Sequence, residues 1–183
     1  MKKGKRYNIV KRNIALSILL GMFLNSMSFA NSLIKTRDGS TARVITAPNG
    51  TPMIELANPN GNRISVNDFE RLNVDEKNLI LNNISSKEGA GYRSELGGII
   101  APNENYTGNP ARAILLRVHK DPSVINGFIE AASTGKVDMF LSNPNGIYLN
   151  GGLVGRFGNV TFTTGHVSDD LMTVMVRDGR IEI

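Results

Sequence analysis

Few side chains in this 183-residue chain are of a type that does chemistry. There are two histidines, His119 and His166, and neither lies in an HExxH or HxH spacing that would set two ligands on one metal. There is no cysteine, so a zinc site would lack thiolate. His119 ends an apolar run and His166 follows Thr163-Thr164-Gly165; both read as surface or loop-facing imidazoles. No GxSxG or P-loop occurs, and nothing marks a Ser-His-Asp set. The acids Glu88, Glu95, Glu104, Asp121, Glu130 and Asp138 are scattered. A glycosidase needs two carboxylates at a set separation, and the spacing supplies no such pair. Asp169 and Asp170 are adjacent, and neighbours on a strand point to opposite faces. Asp38-Gly39-Ser40 and Asp178-Gly179-Arg180 are single turns, not the ligand-dense loop that calcium needs. The expectation is no catalytic residue, no metal site and no cofactor.

Asparagine is the unusual residue. Asn58, Asn60, Asn143, Asn145 and Asn150 all fall at turn signals, and four of the seven prolines sit in a Pro-Asn dipeptide: Pro48, Pro59, Pro102 and Pro144. The densest case is Lys136 to Gly152, KVDMFLSNPNGIYLNGG. Val137, Met139 and Leu141 alternate with Asp138, Phe140 and Ser142. Pro144 presets φ for a type I turn, Asn143 can bond the backbone two residues on, and Gly146 accepts a positive φ. Pro144 cannot donate to a ladder, so no strand runs through this point. Such turns can present a surface to a partner. They can also simply make corners, with side-chain amides stacked into ladders; on physics alone the second reading is the plainer.

The elements that would carry these turns are short strands. Ala42 to Ala47, Met53 to Leu56, Ile64 to Val66, Asn78 to Asn83, Ala113 to Val118, Phe128 to Ala132 after the Asn126-Gly127 turn, and Asn159 to Thr163 all read as strands. Asp68 to Val74 reads as a short helical turn or an irregular loop. Ser85 to Arg93 and Pro102 to Pro110 read as loops. Leu96 to Ile100 reads as a strand whose glycine pair lets another backbone approach. Leu171 to Val176 and Arg180 to Ile183 read as two further strands. One turn type recurring between short apolar runs argues for a coiled or stacked β-architecture. The chain stops inside a strand pattern, so it is expected to be the front part of something longer or a truncated product.

Charge separates the head from the body. Residues 1–30 hold six of the 21 basic residues and no acid; removing them leaves 15 basic against 16 acidic residues. The high pI belongs to the head, and nucleic-acid binding loses the basic face it would need. Met1 to Arg12 is a basic n-region, Ile14 to Leu24 an apolar h-region, and Ser28-Phe29-Ala30 a small-residue cleavage site. The segment reads as a secretory signal peptide cut between Ala30 and Asn31, leaving residues 31–183 as one domain. Without cysteine, an exported domain must rest on its core and hydrogen bonds.

These features together resemble a known family. Asn143-Pro144-Asn145-Gly146-Ile147 with Asn150-Gly151-Gly152 is similar to the signature of the filamentous-haemagglutinin-type two-partner secretion domain. Ile64 to Phe69, Leu72 to Asp75, Leu79 to Asn83, Leu96 to Ile100, Ala113 to Leu115, Asn126-Gly127 with Ile129 to Ala132, and Thr163 to Gly165 resemble the rest in order. One place departs. Members often carry Asn-Pro-Asn-Leu after the glycine-pair strand, and here it reads Asn103-Glu104-Asn105-Tyr106.

The resemblance implies an all-β fold: a right-handed parallel β-helix with an amino-terminal cap and extra-helical strands. It implies passage through the general secretory machinery, and a secreted or cell-surface destination reached through the periplasm. It implies recognition by a cognate outer-membrane β-barrel transporter through that transporter's periplasmic POTRA domains. The residues matching the family's signature are Asn143, Pro144, Asn145, Gly146 and Ile147, with Asn103 and Asn105 as weaker candidates. Cargo further along such chains is typically an adhesin, haemagglutinin, haemolysin or contact-dependent toxin, which would meet the host-cell surface. Two rival readings remain: a small extracellular β-helical carbohydrate-active enzyme, and a stand-alone glycan-binding adhesin.

Overall fold

The computed structural model describes residues 33–170. The expected strands at 171–176 and 180–183, the Asp178-Gly179 turn and the Ala30/Asn31 cleavage site lie outside the described residues.

Among the described residues, short apolar runs broken by Asn, Pro and Gly give fourteen strands: β1 (Ile34–Thr36), β2 (Arg43–Thr46), β3 (Pro52–Glu55), β4 (Ile64–Leu72), β5 (Leu79–Asn82), β6 (Tyr92–Ser94), β7 (Gly98–Ile100), β8 (Ala113–Val118), β9 (Ser123–Ile125), β10 (Phe128–Ala132), β11 (Val137–Ser142), β12 (Ile147–Leu149), β13 (Gly152–Gly155) and β14 (Phe157–Thr163). Three sheets run side by side. β3, β5, β10 and β13 stack in parallel, as do β4, β8, β11 and β14, and β9 pairs in parallel with β12 while Val74 bridges to Ile125. One strand from each sheet makes one turn of a parallel β-helix. Vertical columns follow from the register, such as Val66, Leu115, Phe140 and Thr161.

At the amino-terminal end two strands reverse direction. β2 pairs antiparallel with β3, and β1 antiparallel with β4. They cover sheet edges that would otherwise offer free N–H and C=O groups for uncontrolled pairing.

The interior is a column of Ile54, Leu79, Leu81, Ile114, Leu116, Ile129, Val137, Met139 and Leu141, each fully buried. Burying a side chain of that size contributes about 1.5–3 kcal/mol. Phe140, which alternates with that set, is buried on the opposite face with Ile64, Ala113, Leu115 and Val167. Residues after β14 therefore cross the outer face of the second sheet. Ser142 Oγ donates to the Gly165 carbonyl at 2.7 Å, and Arg117 Nη1 donates to Asp169 Oδ1 at 2.7 Å.

Three expectations are corrected. Asp68 to Val74 is neither helical turn nor loop: Asp68 to Leu72 complete the nine-residue strand β4. Its charged residues sit on an outer face where Asp68 meets Arg117 and His119, and Glu70 meets Lys35 and Lys120, so the polar pattern reflects cross-strand pairing. Leu96-Gly97 is the turn of a β6–β7 hairpin and not the start of a strand. Gly98 has φ +74°, and Gly97 makes room for a side chain, since a Cβ there would lie 2.5 Å from Ile80 Cδ1. Ser85 to Arg93 is not all loop, because Ser86–Glu88 forms a 3-10 turn capped by Ser85 and Tyr92 already belongs to β6.

Candidate functional site: the asparagine-anchored turns

The turn at 143–146 follows directly from its residue types. Asn143 Oδ1 accepts from the Asn145 N–H at 3.0 Å, and the Gly146 N–H donates to the Asn143 carbonyl at 3.1 Å. Gly146 has φ +114°. The other end of the Asn143 amide points into the protein: Nδ2 donates to the Asp121 carbonyl and to Ser123 Oγ, both at 2.9 Å. Asn143 is thus a peg that fastens one corner to the turn of chain beneath it, and it is fully buried. Pro144 and Asn145 stand exposed above it, while Gly146 and Ile147 are half-covered. Ile147 opens β12 and packs against the main core.

Asn103-Glu104-Asn105-Tyr106 builds the same device without proline. Asn103 Oδ1 accepts from the Asn105 N–H at 2.9 Å, and the Tyr106 N–H donates to the Asn103 carbonyl at 3.1 Å. Asn103 Nδ2 donates to the Leu56 and Asn82 carbonyls at 3.0 and 2.9 Å. Asn103 is buried, Glu104 is exposed, and Asn105 is half-buried with Nδ2 bonded to the Thr41, Glu55 and Leu56 carbonyls. Where proline would have no donor, the Glu104 N–H reaches Glu55 Oε2 at 2.8 Å. Where leucine would be purely apolar, the Tyr106 hydroxyl donates to Asn83 Oδ1 at 2.8 Å.

The two turns occupy different corners. Asn103 fastens to the ends of β3 and β5, whereas Asn143 fastens to the residues that lead into β9. They are separate pegs of like construction. The expected amide ladder is present at one corner, where Asn150 Nδ2 donates to Asn126 Oδ1 at 3.1 Å. Asn143 bonds instead to backbone and to serine.

Two carboxylates are buried: Glu130, one of the scattered acids, and Glu55, which the sequence did not single out. Glu55 accepts from Asn82 Nδ2 and from the Glu104 N–H, both at 2.8 Å. Burial pushes its pKa up, and these two bonds and Arg43 pull it only part of the way back. Glu130 is fully buried and accepts from Ser94 Oγ at 2.6 Å and from the Glu95 and Leu96 N–H groups at 2.9 Å, which ties the β6–β7 hairpin to β10. Around them the hairpin's Tyr92, Leu96 and Ile100 pack on Ala47, Met53, Ile80 and Ala132. A lone acid inside an apolar strand, as in Met53-Ile54-Glu55-Leu56 and Ile129-Glu130-Ala131-Ala132, was the signal available.

The remaining polar candidates serve the frame. His119 is not simply loop-facing. Nε2 lies 2.7 Å from Asp68 Oδ1, and Nδ1 lies 3.0 Å from Arg37 Nη1, which can only donate, so the proton on the neutral ring sits at Nε2. His166 is exposed. Glu104 pairs with Arg43, Asp121 with Arg71, and Asp138 accepts from the Asn159 N–H. Among the described residues no three His, Asp or Glu side chains are grouped to hold a metal.

A capped parallel β-helix that displays asparagine-pegged turns defines the class. The chain belongs to the TPS secretion domain family, whose model matches residues 31–177. It is 35% identical to the filamentous hemagglutinin of Bordetella pertussis over 69% of this chain and 3% of that protein. It is 34% identical to a tRNA nuclease CdiA of Yersinia mollaretii over 82% of this chain and 5% of that protein. It is similar in structure to the crystal structure of a filamentous hemagglutinin secretion domain, with TM-score 0.63 and 30% identity, covering 74% of this chain and 43% of that one. The chain thus spans a twentieth or less of the length of these two relatives.

Proposed function

We propose that residues 31–183 are the part of a two-partner-secretion exoprotein that a cognate outer-membrane transporter reads, and that residues 1–30 are a signal peptide removed after Ala30. A family match that begins at residue 31 supports that boundary. The exoprotein is secreted or held at the cell surface after crossing the periplasm. The domain acts by being recognised and not by catalysis; a hemagglutinin or a nuclease, as the relatives are named, would lie in sequence beyond this chain.

One observation carries the assignment of roles. In both turns the first asparagine is buried with its amide bonded inward, and the residue directly after it, Pro144 or Glu104, is exposed. Asn143 and Asn103 are therefore positioning residues, while Pro144, Asn145, Gly146 and Ile147 at one corner, and Glu104 and Asn105 at another, form the two patches a periplasmic POTRA domain would touch. The carbohydrate-active alternative asks for acids converging on an open face. Glu55 and Glu130 instead spend their oxygens on backbone and side-chain donors in the buried zone under residues 92–106.

The test is co-expression with the candidate transporter, scoring both secretion and the stability of the purified domain. Asn145→Ala should lower secretion at unchanged stability. Asn143→Ala should lower both. Full secretion of Asn145→Ala together with a Pro144→Ala change would remove the exposed turn from the recognition surface.

A further inference from the structure

We propose that Asn60 is a site of spontaneous covalent modification in the folded protein, closing to a succinimide and opening to aspartate or isoaspartate. The chemistry is that of an asparagine followed by glycine, a thermolabile pair. The backbone nitrogen of the glycine attacks Cγ of the asparagine side chain and forms an N–Cγ bond. The Cγ–Nδ2 bond breaks, and ammonia leaves with the proton given up by the peptide nitrogen. Water then opens the ring at either carbonyl. Nothing is oxidised or reduced.

Five Asn-Gly pairs occur in the described chain: Asn49-Gly50, Asn60-Gly61, Asn126-Gly127, Asn145-Gly146 and Asn150-Gly151. By sequence they are equivalent. The structure separates them through the attacking nitrogen. The Gly50 N–H donates to the Ala47 carbonyl at 2.8 Å, Gly127 to Val74 at 3.2 Å, Gly146 to Asn143 at 3.1 Å, and Gly151 to Ile125 at 2.8 Å. Each of these bonds must break before the nitrogen can lose its proton and turn on the side chain. Gly61 carries no such bond, and both Asn60 and Gly61 are exposed. Two of the protected glycines are also wedged by stacking: a Cβ on Gly127 would fall 1.9 Å from the Asp75 carbonyl oxygen, and one on Gly151 1.8 Å from that of Gly127.

The electrophile at Asn60 is prepared as well. Asn60 Oδ1 accepts from the backbone N–H groups of Asn62 and Ile64, both at 3.0 Å. These donors draw electron density from Cγ and stand where negative charge gathers on Oδ1 during attack, as an oxyanion hole does. The products differ in consequence. Aspartate at 60 keeps an oxygen for both donors. Isoaspartate inserts a methylene into the main chain, so the Asn60 N–H and the Ile64 carbonyl, now 3.0 Å apart, lose their match at the start of β4.

The experiment is peptide mapping by mass spectrometry of the folded domain held in mildly alkaline buffer, beside the same chain held in urea. Conversion at Asn60 should outrun each of the other four by about tenfold or more in the folded protein, the factor that breaking one backbone hydrogen bond imposes. In urea the five should converge. Gly61→Ala is a clean control because a Cβ there meets nothing within 4 Å and needs no positive φ. It should leave the unfolding midpoint unchanged and suppress conversion at 60. Equal conversion at all five sites in the folded protein, or another site leading, would overturn the proposal.

Discussion

The main-chain N–H of Glu104 donates to the carboxylate of Glu55 at 2.8 Å, across 49 positions of sequence. Glu55 is buried and Asn82 holds its other oxygen. A proline in place of Glu104 would have no hydrogen to give, and the buried oxygen would face nothing. The absence of proline from this turn is thus coupled to an acid on β3.

Placing proline at this position should therefore harm this chain. Glu104→Pro is expected to lower stability by about 1–3 kcal/mol, the cost of leaving a buried acceptor unmet. Urea denaturation measures it. The companion change Tyr106→Phe removes one hydroxyl bond to Asn83 and should cost about 1 kcal/mol.

Asn143 and Asn145 should separate cleanly in the same measurement. Asn143→Ala removes an acceptor for the Asn145 N–H and the donors to the Asp121 carbonyl and the buried Ser123 hydroxyl, and should cost about 2–4 kcal/mol. Asn145 is exposed, and its side chain bonds only within its own turn, through Asn143 Oδ1 at 3.1 Å. Its replacement by alanine should stay within about 0.5 kcal/mol.

The β6–β7 hairpin should depend on Glu130. Glu130→Ala strips the acceptor from Ser94, Glu95 and Leu96 together. Amide hydrogen exchange at Glu95 and Leu96 should quicken by orders of magnitude, while amides of β8 and β11 keep their protection. Uniform loss of protection across the domain would show instead that the hairpin and the coil unfold as one unit.

Acid should weaken the fold through the outer face of β4. Bonds from Lys120 and Lys35 hold the Glu70 carboxyl down at about 2, below its ordinary 4.5. At Asp68 burial pushes upward, but the Arg117 and His119 bonds outweigh it and the carboxyl lies below its ordinary value. For a depressed acid the stabilisation is fully present above the ordinary value and is lost as pH falls through the folded one. Glu55 has the opposite sign, since its raised pKa makes the ionised form a burden that a falling pH relieves. Urea midpoints taken across the window from 4.5 down to about 2 should decline, and Glu70→Gln should flatten that decline.

Much of the corner and strand plan was legible in the chain itself. Pro144 forbids a ladder bond, Gly146 takes φ +114°, and Val137, Met139 and Leu141 turn one way because strand side chains alternate. Those are local facts, fixed by dihedral limits and by a period of two. What Asp68 to Leu72 would do was not local. Polar residues there form a strand because Arg117, His119, Lys35 and Lys120 arrive from neighbouring strands to pair with them.

The division has one physical cause. Sequence by itself determined where this backbone turns and which residues face alternately, since those depend on each residue and its immediate neighbours. Tertiary structure decided which amide is a peg and which is exposed, which acids are buried, and which of five identical Asn-Gly pairs has a free nitrogen. The pegs and the buried acids depend on what the next turn of the coil lays across them, and those partners lie 20 to 50 positions away along the chain, whereas Gly50 and Gly146 are held by carbonyls three residues back in their own turns.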